Sequence, residues 1–384
     1  MAGQRAPDPA GPVMAGLWEI PVQDTTRVHE VRVAAETTAQ QAGLGPERVA
    51  AAALVATELA TNLLKHAGGG RIIVDEVACG PAGQPQYGEP VVQIVALDHG
   101  PGIPDVQRAL QDGYSTAASL GAGLGTCRRI ADTFQVHSTP GRGTVALARL
   151  TAKNVRPTKG LAAPAVRVAG VRVALDGARI SGDAWSSTGG QDRVTVLLAD
   201  GLGHGPAAAA AARTAVAALR DREAPGPREA PGPREAPGPR EAPGPREVLD
   251  RLDADLRGTR GAAVAVAQID LRTATVQFAG IGNIGGRIGH DDTWSHLISH
   301  PGIAGTHRPA RVPVHHHPWR PGSVLVMHSD GLASRWEPPH APDLSRYDPA
   351  VIAAVIMRDA SSAALPARDD TTITVVTHPD TVAT

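Results

Sequence analysis

Ala199-Asp200-Gly201-Leu202-Gly203-His204-Gly205 sets the reading of the second half of this chain. An apolar run, residues 194–198, precedes it, and an alanine-rich run, residues 207–218, follows it. This pattern predicts a buried strand, a tight glycine turn and then a helix. The strand carries one carboxylate, Asp200, to its end, and Gly201 leaves its backbone uncovered so that its carbonyl can face a ligand. Hard divalent cations take oxygen ligands of these kinds. Alone, an Asp-Gly after a strand is equally an ordinary turn. A second copy changes the balance: residues 323–327 form another apolar strand, ending in His328-Ser329-Asp330-Gly331. Two further sites join them, Ser181-Gly182-Asp183 upstream and Arg368-Asp369-Asp370-Thr371-Thr372 before the apolar run 373–376. Aspartates repeated in this way through one half of the chain point to a shared divalent-metal cluster.

The order SGD, ADGLGHG, GNIGG (282–286), HSDG, DDTT resembles the PPM-type serine/threonine phosphatases. Within them it resembles the SpoIIE branch, and most closely the small stressosome feedback phosphatases of the RsbX type. The resemblance covers residues 165–377. It implies an α-β-β-α sandwich in which Asp183, Asp200, Asp330, Asp369 and the Gly201 carbonyl hold two Mn2+ or Mg2+ ions sharing a bridging water. The first aspartate of DDTT aligns with the family's metal carboxylate, so Asp369 rather than Asp370 is the expected ligand. Neither a cysteine nor a histidine nucleophile is then required.

The first half reads differently. Residues 17–22 suit a first strand. A helix capped by Thr25 or Thr26 is expected to run to Gly43, and a second from Pro46 through Ala67. On the second, Glu58 and Asn62 are four residues apart and so share one face; an exposed polar stripe would look the same. Strands are expected at 71–77 and 91–97, the latter ending in Asp98-His99-Gly100-Pro101-Gly102. Then come Asp112-Gly113-Tyr114-Ser115-Thr116 and Gly121-Ala122-Gly123-Leu124-Gly125, a helix to Phe134, and a last strand over 145–150. A glycine triplet before a helix can bind phosphate through backbone N–H groups, but it follows no strand directly and does not suit a Rossmann unit.

In this order the three pieces resemble the N, G1 and G2 boxes of the GHKL ATPase/kinase fold, a two-layer α/β sandwich. The likeness is closest to bacterial anti-sigma-type serine kinases of the RsbT type and covers residues 16–151. It implies that Asn62 ligates the Mg2+ carried by ATP and that Glu58 is the general base or orients the acceptor hydroxyl. Asp98 would accept from the adenine amino group, with Thr144 beside the base. Gly100 and Gly102 would let the backbone approach the base, and Gly121, Gly123 and Gly125 would line the phosphates.

Composition sets bounds on the rest. The 384 residues allow two domains, and 42% hydrophobic content with 3% aromatics requires cores of Ala, Val, Leu and Ile. The expected division is a tail (1–15), a kinase-like domain (16–151), a linker (152–164) and a phosphatase-like domain (165–378), α+β throughout. A net charge of −1 suggests neither nucleic acid nor an anionic membrane as partner. The two cysteines, Cys79 and Cys127, make no disulfide framework, which suits a reducing cytoplasm. No apolar run reaches the ~18 residues of a membrane helix.

Glu-Ala-Pro-Gly-Pro-Arg occurs four times in tandem over 223–246, and proline at this density excludes helix and sheet. It reads as a low-complexity insert in a surface loop, with a ligand for a proline-reading domain as the alternative. His315, His316 and His317 alternate if they form a strand and cannot share one metal. Residues 348–357 read as an amphipathic helix.

The expected function is a bifunctional regulator, an ATP-dependent serine/threonine kinase fused to a metal-dependent phosphatase. The resemblance implies that both act on STAS-domain proteins of a partner-switching stress pathway. Two alternatives stand: a first half that binds ATP and sequesters a sigma factor or STAS protein without phosphorylating it, and a second half that hydrolyses a small phosphate ester.

Overall fold

The computed structural model describes residues 16–77, 90–111, 123–152, 166–189, 192–291, 293–333, 336–339, 346–361 and 369–378, except the repeat residues 224–242. The expected tail, the linker from 153 on, Cys79, the 112–116 stretch and Gly121 lie outside them.

The first half is one antiparallel sheet under a helical layer. Its elements are β1 (Trp18–Val22), α1 (Thr25–Gln41), α2 (Pro46–Asn62), β2 (Gly70–Val77), β3 (Val91–Leu97), α3 (Val106–Ala109), α4 (Leu124–Ile130), β4 (Thr133–Thr139) and β5 (Gly143–Thr151). The strand order is β1-β2-β3-β5-β4. Asp24, not either threonine after it, caps α1 by accepting from the Thr26 and Arg27 N–H groups. The helix expected to reach Phe134 stops at Ile130, and β4 takes over because Phe134 and Val136 alternate onto the core side beside Ala148 and Ala146 of β5.

The second half is two stacked antiparallel sheets. Its elements are β6 (Arg167–Val173), β7 (Asp183–Gly189), β8 (Arg193–Gly201), α5 (Pro206–Glu223), α6 (Pro245–Asp255), β9 (Ala262–Asp270), β10 (Thr275–Ile281), β11 (Gly285–His290), β12 (Thr293–Ile298), β13 (His315–Pro318), β14 (Val324–His328), α7 (Pro349–Ala360) and β15 (Thr371–Thr377). The two sheets run β13-β10-β9-β8-β7 and β12-β11-β14-β15-β6. Strand alternation sorts the side chains: Leu197, Val264 and Ile281 face α5 and α6, whereas Val196, Leu198 and Phe278 face Leu325 and Met327 of the other sheet. The histidine triplet forms the edge strand β13, with His316 exposed between two half-buried neighbours.

Helix α7 departs from the amphipathic expectation. Residues 349–358 are buried on every face. One side packs on Val171, Val326, Ile373 and Val375, and the other on Ile73, Val95, Val145 and Leu147 of the first sheet. A helix apolar all round belongs in an interior, and Ile352 and Ile356 each contribute roughly 1.5–3 kcal/mol by burial. The layers therefore run α1/α2, first sheet, α7, third sheet, second sheet, α5/α6, and α7 is shared by both halves. Polar groups lock the junction. Arg149 of β5 donates two hydrogen bonds to Asp348, the α7 cap, at 2.7 and 2.8 Å. Arg172 of β6 does the same to Asp75 of β2, and the Gln93 amide donates to the Gly170 carbonyl at 3.0 Å. No described helix is long and apolar enough to cross a membrane.

The last repeat has a structural duty that its composition hides. Helix α6 starts at Pro245, inside the last repeat, and Gly244 N–H is capped by the Glu247 carboxylate. The Pro243 carbonyl accepts from the Gln268 amide at 3.0 Å. Because the units are identical, removing any two leaves two, the second still directly before Glu247, and is expected to leave the melting temperature unchanged. Removing all of 223–246 takes away the cap and Pro245, and is expected to cost about 1 kcal/mol, visible as a lower midpoint in thermal melts. Equal melting of the two deletions would show that the cap contributes nothing.

Candidate functional site

In the first half, Glu58, Asn62, Asp98, Gly102, Gly123 and Thr144 line a single cavity of about 330 Å3. Helix α2 ends at Asn62 as an α-helix and goes on as one π turn, Leu63–Ala67, closed by Gly68 in the left-handed region (φ 71). The wide turn brings Ala67 against the β3 loop, where a Cβ on Gly100 would lie 2.7 Å from the Ala67 Cβ. Glycine at 100 is thus demanded by the contact between the two boxes. At Gly102 the backbone demands it, with φ 76 and the Thr139 carbonyl 2.6 Å from any Cβ. Gly123 precedes α4 as its N-cap, and Gly125 is buried inside that helix. Lys65 and His66 also line the cavity. The sequence reading passed over both, although Lys65 lies one helical turn beyond Asn62.

The polar groups of the cavity keep capacity for a ligand. One carboxylate oxygen of Asp98 accepts from Gly100 N–H (2.8 Å) and Thr144 N–H (3.2 Å), leaving its other oxygen for a ligand. Burial holds the Asp98 carboxyl above the usual range, against the opposing pull of those two N–H groups. Burial also raises Glu58, with Lys65 opposing, which makes its carboxylate a better proton acceptor. The Asn62 amide nitrogen is buried without a partner, so this amide has unspent hydrogen-bonding capacity. A half-turn exchanges its nitrogen and oxygen and presents a carbonyl ligand. Beneath the cavity, burial pushes the Cys127 thiol up to about 12, which keeps it protonated.

In the second half, Asp183 opens β7 and Asp200 nears the end of β8, directly opposite it in the ladder. Asp330 follows β14, and Asp369 and Asp370 precede β15. Ser329 Oγ donates to Asp183 Oδ2 at 2.6 Å, while Oδ1, also buried, has no partner. Asn283, from the GNIGG motif, donates to Asp330 Oδ2 at 2.5 Å. Asp370 is spent on backbone: it accepts from Leu175 N–H (2.8 Å) and Gly182 N–H (2.6 Å). Asp369 is exposed and, among the described residues, accepts only from the Asp370 N–H. Gly201 packs so closely on α5 that a Cβ would lie 2.0 Å from the Ala208 carbonyl oxygen.

Burial foremost raises the Asp183 carboxyl, and Asp370 and Asp330 add to it. Asp200 rises for the same first reason, followed by repulsion from Asp183, Asp330, Asp369 and Asp370. Burial and Asp369 likewise raise Asp330. Such mutual repulsion is what divalent ions relieve. Among the described residues no three candidate ligands are already drawn around one point. The donor set nevertheless fits hard cations: oxygen ligands only, one of them buried and unpartnered. Asn283 and Ser329 were outside the expected site set, although both lie inside motifs that mark it.

Comparison with known proteins follows the same division. The family described as stage II sporulation protein E (SpoIIE) matches residues 190–379, and that described as histidine kinase-like ATPase domain matches residues 22–149. The serine/threonine-protein kinase RsbT of Bacillus subtilis is 38% identical over 106 residues, 28% of this chain and 74% of RsbT. Among solved structures, the PP2C phosphatase domain of SpoIIE from Bacillus subtilis, with a fragment of its regulatory domain, is 17% identical over 75% of this chain and 79% of that one, with a TM-score of 0.44. The RsbU and RsbW domains of a Mycobacterium tuberculosis protein are 19% identical over 56% and 62%, with a TM-score of 0.43.

Proposed function

This chain belongs to the histidine kinase-like ATPases of the RsbT type through its first half and to the SpoIIE phosphatases through its second, and on that premise we propose that it works both directions of one protein-phosphorylation switch. The first half, 16–151, transfers phosphate from ATP to a serine or threonine, and the second, 165–378, removes it. The substrate class proposed is a STAS-domain protein of a partner-switching pathway. What supports the reading is that Glu58, Asn62, Asp98, Gly102, Gly123 and Thr144 line one cavity, while Asp183, Asp330, Asp369 and Asp370 stand near enough to Asp200 to raise its carboxyl.

In the first half, Asp98 accepts from the adenine amino group through its free oxygen, and the Asn62 carbonyl holds the Mg2+ of the nucleotide. Gly123, at the start of α4, offers backbone N–H to the phosphates, and Glu58 takes the proton of the acceptor hydroxyl. In the second half, Asp183, Asp200, Asp330 and Asp369 hold two Mn2+ or Mg2+ ions. Asp369 suits that role better than Asp370, whose oxygens already serve two backbone N–H groups. When bound, the ions supply an acidified water and neutralise the phosphate charge. Ser329 donates to one oxygen of Asp183 and Asn283 to one oxygen of Asp330, which leaves the second oxygen of each to bind an ion.

Two variants test the first half. Asn62→Ala is expected to abolish transfer of labelled phosphate from ATP to a STAS protein. Glu58→Ala is expected to slow transfer on the order of 10²- to 10⁴-fold with little change in ATP affinity. Wild-type transfer in both would end the kinase assignment. Nucleotide-dependent capture of the STAS protein with no transfer by the wild type would favour sequestration instead.

A further inference from the structure

Arg260 stands beside the Asp200 turn, with no charged partner among the described residues. The loop that carries it, between α6 and β9, is tied down at each step. Thr259 Oγ donates to the Leu256 carbonyl at 2.7 Å and accepts from Gly261 N–H at 3.0 Å. Gly261 has φ 81, and a Cβ there would lie 2.7 Å from the Ala304 carbonyl oxygen, so only glycine fits. The Gly261 carbonyl accepts from Leu202 N–H at 3.0 Å, which joins this loop to the turn after Asp200 and Gly201. A Cβ on Gly203 would lie 3.4 Å from Arg260 Nη1. The Gly203 carbonyl in turn lies 3.3 Å from where a Cβ of Gly182 would be, beside Asp183. The guanidinium therefore stands against the turn that follows Asp200, and that turn packs beside Gly182, the neighbour of Asp183.

Three other arginines of this half are engaged among the described residues. Arg172 is clamped to Asp75, Arg179 stacks over the Trp18 ring at 3.4 Å, and Arg257 reaches back to Asp253 at 3.6 Å. Arg260 is exposed, and no ion pair or side-chain hydrogen bond engages it among the described residues.

We propose that Arg260 is the residue that grips the phosphoryl group of a phosphoserine or phosphothreonine substrate at the second site. This rests on the phosphatase reading of that site. A phosphate monoester arrives as a dianion at a centre built of carboxylates. Divalent ions cancel the carboxylate charge, and a protein donor can add directional hydrogen bonds to the outer phosphate oxygens. A guanidinium offers two parallel N–H groups whose fork matches two of those oxygens, and it keeps its charge at any working pH. A cation already paired with a carboxylate would have to give up that partner to do so, and Arg260 has none to give up.

The test uses the full-length chain as wild type, Arg260→Ala, Arg260→Lys and, as a control on a neighbouring guanidinium, Arg257→Ala. Calorimetry gives the affinity for Mg2+ and, in excess Mg2+, for inorganic phosphate. Steady-state hydrolysis of a phosphoserine peptide and of p-nitrophenyl phosphate gives kcat and KM. Arg260→Ala is expected to weaken phosphate binding about 10- to 100-fold and to raise KM for both esters by a similar factor. Mg2+ affinity should stay at its wild-type value, Arg260→Lys should recover part of the loss, and Arg257→Ala should change nothing. Wild-type phosphate affinity and KM in Arg260→Ala would overturn the proposal, and so would a parallel loss of Mg2+ affinity, which would mark a structural role. A wild type that binds Mg2+ and phosphate yet hydrolyses neither ester would refute the phosphatase reading, while the phosphate titration would still decide on Arg260.

Discussion

Asp200→Asn and Asp330→Asn are each expected to lower phosphatase turnover on the order of 10³-fold or more, since each removes a charged ligand from ions that stabilise the reaction by several kcal/mol. Both variants should remain folded, and one of them should gain stability in chelator. Asp200 has a folded-state pKa above its ordinary 3.8, so its contribution to stability is full below that value and is lost as pH rises through the raised one. At neutral pH in EDTA the wild type must either hold a proton on Asp200 or bear that repulsion, and Asp200→Asn does neither. The variant should therefore melt higher than wild type in EDTA. Adding Mn2+ should raise the melting temperature of the wild type by mass action and barely move that of the variant. Thermal melts with and without Mn2+, beside hydrolysis rates, check both parts. Undiminished turnover in either variant, or in chelated wild type, would remove the metal assignment.

Arg149→Met should be the most damaging single change away from either site. Arg149 and Asp348 are 1% and 3% exposed, and the guanidinium also donates to Gln93. Removing one partner strands a buried charge at the α7 cap, and such losses cost about 3–5 kcal/mol. Replacing both partners, as Arg149→Met with Asp348→Leu, should recover most of that loss, less about 1 kcal/mol for the cap. Urea unfolding of wild type, the single variants and the double variant measures this. Additive losses in the double variant would mean that the two residues do not act as a pair.

Much of the chemistry was legible because it is local. A glycine turn after an apolar strand places its aspartate at the strand end whatever lies around it, and residues four apart on a helix share a face. Asp183, Asp200, Asp330, Glu58, Asn62 and Asp98 were named on such grounds, and the structure sets them at strand ends, on one helix face and around one cavity. The resemblance to known families rested on these short motifs in their order.

Other features are set by contacts between residues far apart in sequence, and these only the tertiary structure decided. The periodicity of 348–357 gives a helix but cannot say that a second sheet covers its other side, so α7 read as amphipathic when it is buried all round. The motif resemblance favours Asp369 over Asp370, but the physical difference between these adjacent carboxylates comes from Leu175 and Gly182, which donate to Asp370. The last repeat unit matches the others in sequence and differs from them only by standing before α6 and Gln268. Arg260 looks like any loop arginine until Gly261 is pinned beneath Ala304 and tied to Leu202. Dihedral preference and side-chain periodicity act within a few residues and can be read along the chain, whereas burial on a second face, and the choice of partner for a buried polar group, exist only once distant segments have met.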